Sequence, residues 1–183
     1  MTKEYDARAA EVVAFWRDAG PDRWFAKDDA FDAEFRSGFL ERHLSAARRE
    51  LDHWLDHPES ALALILLLDQ FPRNCFRGTA HMFATDPLAR HFAREAISAG
   101  HDKAIDPELQ VFIYLPFEHS ENIGDQYKSV ELTRSLPQEY MKYAIEHRDI
   151  IQRFGRFPHR NLALGRETTP EEQAFLDGGG FAG

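Results

Sequence analysis

Residues 61–71 have the sequence ALALILLLDQF, and the organisation of the whole chain follows from this segment. It is apolar on every side as far as Asp69, and Ile65 is its one β-branched residue. A run this short could form a buried strand, but leucine and alanine favour a helix. Pro58 marks the helix start, because proline is well tolerated in the first helical turn. We therefore predict a central buried helix.

Two amphipathic helices are predicted before this central helix. The first runs from Thr2 to Ala19 and ends at the Gly20-Pro21 pair. The second follows an N-cap at Asp28 or Asp29. Its apolar stripe consists of Phe31, Phe35, Leu40, Leu44, Ala47, Leu51 and Leu55.

Further helices are predicted after the central one. Asp86-Pro87 and Asp106-Pro107 each place an N-cap acid before a proline at the first helical position. Pro116 should kink or end the second of these helices, because it removes a backbone hydrogen bond. A short helix is expected around Tyr127, with Ile123 and Val130 on the same face.

A long helix and a short one are predicted near the C-terminus. The long helix carries an apolar stripe and stops at Gly155, which is free to take the left-handed C-cap conformation. The stripe comprises Tyr140, Ala144, His147, Ile151 and Phe154. Thr169 to Glu172 forms a capping box for the last helix. Residues 1–177 are predicted to be a single domain, and residues 178–183 a frayed glycine-rich tail.

No segment requires a strand, so the predicted class is all-α. Antiparallel helices with short connections form either a bundle or stacked helical hairpins. A weak internal echo favours the stack, since Gln70–Asn74 (QFPRN) resembles Arg156–Asn161 (RFPHRN) and each follows an apolar helix.

Composition narrows the class of protein. The single cysteine, Cys75, has no partner within the chain, and the N-terminus lacks the apolar core of a signal peptide. Residues 61–68 form the longest apolar run, which is far shorter than the roughly 20 residues of a membrane span. We therefore expect a soluble cytoplasmic protein that makes no membrane contact.

Charge is distributed unevenly along the chain. The formal net charge is −9, which argues against nucleic acid and anionic membranes as partners. Residues 147–166 nevertheless hold five arginines and one acid, so this segment carries +4 and the remainder −13. A positive segment in an acidic protein predicts either one small anionic partner or internal pairing with carboxylates.

The first candidate segment is LLLDQFPRNCFRGT, residues 66–79. Asp69 falls on the buried face of the central helix and needs a partner there. Arg73, Asn74 and Arg77 are near in sequence and could bind an anion. The alternative is that Asp69 pairs with an arginine and fastens two helical layers.

The second candidate segment is YLPFEHSENIGDQ, residues 114–126, where Glu118, His119 and Glu121 follow the expected break at Pro116. Glu118 could act as a general base, with His119 as its partner, as a metal ligand or as a ligand-binding group. A polar helix end with nothing bound explains the same residues. We expect no metal or cofactor, because no paired metal-ligand spacing and no nucleotide-binding motif occurs.

The third candidate segment is RFGRFPHRNLALGR, residues 153–166. Arg156 and Arg160 flank His159, so their charges should keep that imidazole neutral as a base or donor. Asn161 could orient a ligand, and arginines bind carboxylate or phosphate bidentately. Equally, these side chains could satisfy backbone carbonyls left open at a helix end. His147 should point inward as a core histidine.

Together the three segments resemble the bacterial domain-of-unknown-function family 924, and the likeness extends from AFWRDAGPDRWF to TTPEEQAFL. The resemblance implies a tetratricopeptide-like helical fold and brings no established activity. Phe15-Trp16-Arg17 departs from the family's FWF. The family's characteristic positions match Asp69, Gln70, Arg73, Asn74, Arg77, Gly78, Glu118, His119, Ser120, Glu121, Arg153, Gly155, Arg156, His159, Arg160 and Asn161.

Three hypotheses follow. The first is a site that binds a small anionic ligand or a peptide carboxylate through Arg73, Arg156 and Arg160. The second is a hydrolase or lyase on an anionic substrate, with Asp69 or Glu118 as general base and His159 as acid or donor. The third is a protein-interaction scaffold in which the three segments form internal salt bridges.

Overall fold

The computed structural model describes residues 5–183, and this part of the chain is helical without strands, so the predicted all-α class is confirmed. Short 3₁₀ helices cover Asp52–Asp56, His101–Lys103, Pro107–Leu109 and Pro158–Arg160. The α-helices are α1 Ala7–Ala19, α2 Pro21–Trp24, α3 Asp29–Ala47, α4 Pro58–Cys75, α5 His81–Ala84, α6 Asp86–Ser98, α7 Val111–Glu118, α8 Ile123–Thr133, α9 Gln138–Phe154 and α10 Pro170–Asp177.

The described residues fall into two compact units. The first comprises the described residues up to Arg77 together with His81–Pro116, and the second comprises Gly78–Ala80 and Phe117–Gly183. The expectation of one domain over residues 1–177 stays a prediction. None of the helices in residues 5–183 is both long and apolar enough to cross a membrane.

Helix α4 is the centre of the first unit, as predicted. Its side chains from Ser60 to Pro72 are all buried, and it packs against α1, α3 and α6. Trp16 of α1 and Phe35 of α3 join this core, with their ring centroids 5.5 Å apart. Arg17, the residue that departs from the family pattern, lies on the outer face of α1, where it is 44% exposed and pairs with Glu59.

Helix α1 begins later than the predicted helix and ends where expected. Asp6 caps it by accepting a hydrogen bond from the backbone N–H of Arg8. Thr2, the predicted first residue, lies outside the described residues. Gly20 follows the last helical residue, Ala19.

Helix α3 differs from its prediction in length and in its buried face. Asp28 is the N-cap, but the helix ends at Ala47 instead of continuing to Leu55. The buried stripe is Phe31, Phe35, Phe39, His43 and Ala46, so Leu40 and Leu44 lie one position off the core face. The four-residue spacing of the three phenylalanines sets this face, since residues four apart stack along a helix.

Pro72 lies inside α4, although the QFPRN segment was expected to follow the end of this helix. A proline inside a helix leaves the carbonyl four residues earlier without its helical donor. That carbonyl belongs to Leu68 and accepts a hydrogen bond from the Thr85 hydroxyl at 2.5 Å. The two similar segments therefore do not adopt the same structure, and the predicted repeat is wrong. The QFPRN segment lies inside α4, whereas Phe157 of the RFPHRN segment is extended and precedes a 3₁₀ helix.

The two predicted Asp-Pro helix starts differ from the structure. Asp86 is the first residue of α6 rather than its N-cap, and Thr85 occupies the cap position. Asp106 does cap, but the element it opens is the 3₁₀ helix Pro107–Leu109. Pro116 lies within α7, which continues to Glu118.

In the second unit, α8 packs against α9, and Asn122 caps α8. The predicted stripe on α8 is wrong at Ile123 and Tyr127, which are exposed, while Gln126 and Ser129 are buried. The predicted end of α9 is confirmed, since Gly155 takes φ 71° and ψ 0° directly after Phe154. The capping box of α10 is also confirmed, with Thr169 and Glu172 bonded reciprocally.

Candidate functional site

The candidate residues of the first segment lie in the first unit. Helix α4 buries Asp69 completely, and the Arg73 guanidinium lies 3.3 Å from its carboxylate. Arg73 also donates to both carboxylate oxygens of Asp86, at 2.7 and 3.0 Å. Asp69 and Arg73 are therefore brought together as expected, and Asp86 joins them because its carboxylate is not used as a cap.

Asn74 and Arg77 converge on Asp32, a residue that sequence reasoning missed. Asn74 Nδ2 and Arg77 Nε each donate to the Asp32 carboxylate at 2.7 Å. Several acids occupy the first turns of α3, and nothing in the sequence distinguishes Asp32 from Asp28 or Asp29 as the partner. The pair joins the start of α3 to the end of α4.

Cys75 does not present a reactive thiolate. Its side chain is partly buried. Burial, helped by the nearby Asp32 carboxylate, raises the pKa of the thiol to about 12. Because the thiolate is the nucleophilic form, the raised pKa argues against nucleophilic chemistry at this cysteine.

Glu172 organises one half of the third segment in the second unit. Arg156 donates to both Glu172 oxygens, with its Nη2 at 2.9 Å, and Asn161 Nδ2 donates at 3.1 Å. The hydrogen bond from Arg156 lowers the pKa of Glu172 to about 2. Sequence reasoning identified Glu172 only as part of a capping box. It is in addition the internal anion that Arg156 binds.

Glu121 organises the other half. Arg166 donates to both of its oxygens at 2.9 and 3.0 Å, and the backbone N–H of Phe157 donates at 2.8 Å. Burial by itself would raise the pKa of this carboxyl, but the bonds from Arg166 and Phe157 outweigh it and the pKa lies below its usual value. Arg166 therefore joins the segment before α8 to the segment after α9.

Arg160 holds the backbone at the end of α7. Its Nη2 donates to the carbonyl of His119 at 2.9 Å, and its guanidinium lies 4.5 Å from the Phe157 ring centroid. Gln126 donates to the neighbouring carbonyls of Glu118 and Ser120 at 2.6 and 2.7 Å. The expected role of these side chains in satisfying helix-end carbonyls is thus present, although at α7 rather than at α9.

Glu118 lies beside a histidine other than the one expected. Its Oε1 is 3.5 Å from Nδ1 of His147, and both side chains are buried. The same Nδ1 lies 2.9 Å from the carbonyl of Tyr143. A carbonyl can only accept, so Nδ1 of His147 carries a proton and donates to Tyr143.

His147, Phe157 and His159 form a surface that we call the two-histidine surface. The Phe157 ring lies 5.5 Å from His147 and 5.6 Å from His159, centroid to centroid. Phe181 from the C-terminal segment contacts both histidines edge-on, at 4.4 and 5.1 Å. His147 is a buried core residue, as predicted, and it also lines this surface.

The structure distributes the predicted site residues over both units. Asp69, Arg73, Asn74 and Arg77 belong to the first unit. Glu118, His119, Arg156, His159, Arg160 and Asn161 belong to the second. The catalytic roles expected for Asp69, Glu118 and His159 stay predictions. Within residues 5–183, no three or more histidine, cysteine or acidic side chains are grouped so that they could hold a metal ion.

Comparison with known proteins gives a family and a solved structure. Residues 12–180 match the family described as "Bacterial protein of unknown function (DUF924)". The chain is also similar to a protein of unknown function from Agrobacterium tumefaciens, ATU0120, with 60% sequence identity and a TM-score of 0.93. That match covers 96% of this chain and 99% of the other. No curated protein matches the chain.

Proposed function

Since the chain belongs to the DUF924 family, whose function is unknown, its activity has to be inferred from its own geometry, and we propose that it is a peptide-binding helical protein. The ligand is a peptide segment that inserts an aromatic side chain against the two-histidine surface. The helices act as a scaffold of stacked, tetratricopeptide-like hairpins, an arrangement suited to extended ligands.

The observation that carries the proposal is the position of Phe181. Its ring contacts the edges of His147 and His159 and packs on the apolar cluster of Ile150, Ile151 and Phe157. A short peptide segment with an aromatic anchor thus lies on this surface already. Aromatic pairs with edge-to-face geometry contribute about 0.5–1.5 kcal/mol each beyond their buried area, enough to select an aromatic anchor.

The arginine contacts support a scaffold more than an anion site. Arg77 binds Asp32, Arg156 binds Glu172 and Arg166 binds Glu121, each with its partner in the same unit. An external phosphate or carboxylate would have to displace these internal carboxylates. In the third segment, Arg166 through Glu121 and Arg160 through its contact with the ring hold Phe157 in position.

Peptide selection tests the proposal. A phage-displayed peptide library would be selected against the full chain and against its Phe181→Ala variant, and binding of the selected peptides would be measured by fluorescence anisotropy. We expect enrichment of Phe, Tyr or Trp and at least tenfold weaker binding to His159→Ala. His53→Ala, at an exposed histidine of the first unit, is the matched control and should bind normally.

Two results would refute peptide binding. One is the absence of aromatic enrichment with both proteins. The other is a thermal-shift screen in which phosphorylated or carboxylated metabolites stabilise the chain and an Arg156→Ala, Arg160→Ala variant loses that response. The second result would instead support the binding of a small anionic ligand, which is the first hypothesis from the sequence.

Acid–base catalysis is a second candidate, favoured by the buried Glu118–His147 pair. A carboxylate beside an imidazole raises the basicity of that imidazole, and such a pair can move a proton in a hydrolase or lyase. p-Nitrophenyl acetate and p-nitrophenyl phosphate serve as probes. Activity that disappears in both Glu118→Gln and His147→Gln would support catalysis, and rates equal to the buffer reaction would eliminate it for these two substrate classes.

A further inference from the structure

The C-terminal segment turns back sharply after α10. The helix ends at Asp177, and three successive glycines follow. The backbone N–H groups of Gly178, Gly179 and Gly180 donate to the carbonyls of Ala174, Leu176 and Phe175 at 3.0, 3.1 and 3.0 Å. The last two bonds form a Schellman motif, in which Gly179 takes φ 81°. The structure places a turn here, and the expectation that residues 178–183 fray stays a prediction.

Gly180 allows a close approach that no other residue could make. A Cβ atom at this position would lie 2.5–2.7 Å from three atoms of the Phe175 ring. Any side chain here must push the tail away from α10 or move the ring. Gly180 therefore allows Phe181 to reach the two-histidine surface while the Phe175 ring keeps its present position.

Beyond the turn, the tail lies along both histidines. Phe181 is partly buried there, and a Cβ on Gly183 would lie 3.1 Å from Cδ2 of His159. The end of the described chain thus lies against the two-histidine surface.

We propose that residues 178–183 form an intramolecular inhibitor of the two-histidine surface, with the three glycines as its hinge. This inference rests on the proposed peptide binding and adds its regulation. In the closed state Phe181 occupies the position of a ligand's aromatic side chain. An external peptide binds only to the open fraction, so its apparent affinity is lowered by that fraction.

Two variants of residues 178–183 distinguish the presence of the Phe181 ring from its position on the two-histidine surface. Phe181→Ala removes the aromatic occupant, and Gly180→Ala keeps Phe181 but adds a Cβ atom that clashes with the Phe175 ring. Ala182→Gly changes an exposed neighbour and is the matched control. The probe is a synthetic hexapeptide with the sequence of residues 178–183, GGGFAG, labelled at its N-terminus, and binding is followed by fluorescence anisotropy.

The hexapeptide should bind both Phe181→Ala and Gly180→Ala about tenfold more tightly than the unchanged chain, if about nine-tenths of the molecules are closed. Ala182→Gly should bind like the unchanged chain. In NMR spectra, the imidazole Cε1–H signals of His147 and His159 should move in Phe181→Ala, because the ring current of Phe181 is lost. Addition of the hexapeptide should move them back.

Equal affinity for all four proteins, or no binding to any of them, would overturn the inhibitor. So would histidine signals that do not respond to Phe181→Ala. These results are distinguishable from failure of the proposed function: selection that yields aromatic peptides with equal affinity for the unchanged chain and Phe181→Ala overturns the inhibitor alone. A library without aromatic enrichment overturns peptide binding itself.

Discussion

Gly155 and Arg49 both follow the end of a helix in the left-handed region of backbone conformation. Gly155 ends α9 with φ 71°, and Arg49 follows α3 with φ 64°. After α3, Arg49 N–H donates to Ala46 and Glu50 N–H donates to Ser45, which is the Schellman pattern. The same left-handed conformation is thus adopted by a glycine after α9 and by an arginine, which carries a Cβ atom, after α3.

Gly155→Ala should destabilise the fold by about 1 kcal/mol, because a Cβ atom strains a left-handed residue. A Cβ at this position would have no atom within 4 Å, so backbone strain alone determines the effect. Gly38→Ala is the control, since Gly38 lies inside α3 with equally open surroundings and should gain about 0.5–1 kcal/mol. Urea unfolding measures the free energy of unfolding of both variants, which should fall for Gly155→Ala and rise for Gly38→Ala. A lower stability of Gly38→Ala would contradict the explanation.

Arg49→Gly should stabilise the fold by about 0.5–1 kcal/mol, through relief of the same strain. The substitution removes an ion pair with Asp52, but Arg49 is 57% exposed there and such pairs contribute little. Arg48→Gly is the comparison, because Arg48 has φ −82° and offers no strain to relieve. Denaturant midpoints measured side by side should rise only for Arg49→Gly.

At the scale of elements, Glu172 is the buried carboxylate that links α10 to the segment after α9. Glu172 receives hydrogen bonds from Arg156, Asn161 and the backbone of Thr169. Its position in the first turn of α10 makes it a helix cap as well as an ion-pair partner. One residue therefore links formation of the last helix to the position of the arginine-rich segment.

Glu172→Gln should destabilise the protein by about 2 kcal/mol, because hydrogen bonds to a buried charge are stronger than neutral ones. Glutamine retains the capping geometry, so the loss reports the charge interaction with Arg156. Glu171→Gln removes the neighbouring pair with Arg153, whose side chains are 67% and 52% exposed, and it should have no measurable effect. Calorimetry measures the thermal stability of the two variants. An equal loss of stability in both would contradict a special contribution of the Glu172 charge.

For the whole molecule, the lowered carboxyl pKa values predict loss of stability in acid. Glu172, with a pKa of about 2, and Glu121 stay ionised in the folded protein below the pH at which unfolded glutamates take up protons. Their contribution is complete above about pH 4.3 and is lost as pH falls toward 2, because the unfolded chain then binds more protons. Melting temperatures from pH 6 to pH 2.5 should decline more gently in Glu172→Gln, and parallel curves would disprove this origin.

Local signals explain why much of the helical fold was predictable. The start of α3 at Asp28, the stop at Gly155 and the capping box of α10 each depend on a few adjacent residues. Helix predictions were wrong where residues distant in sequence changed the local structure. The QFPRN segment was expected to follow the central helix, but Thr85 satisfies the carbonyl that Pro72 leaves open, and α4 continues.

The partners of the candidate arginines were not predictable. Arg77 and Asp32 are 45 residues apart, as are Arg166 and Glu121, and the chain offers 31 acidic residues as possible partners. Sequence pattern also favoured Leu44 over His43 for the core. His43 is buried because its imidazole finds the carbonyl of Leu67 at 2.8 Å and the ring of His81 at 2.9 Å.

The sequence by itself determined the all-α class, the central buried helix, several helix boundaries and the family. These depend on hydrophobic spacing and on caps that act within a turn or two of the chain. Only the tertiary structure decided which carboxylate binds which arginine and that Phe181 lies against His147 and His159. Such contacts arise when helices dock, and docking geometry leaves no periodic trace in the sequence.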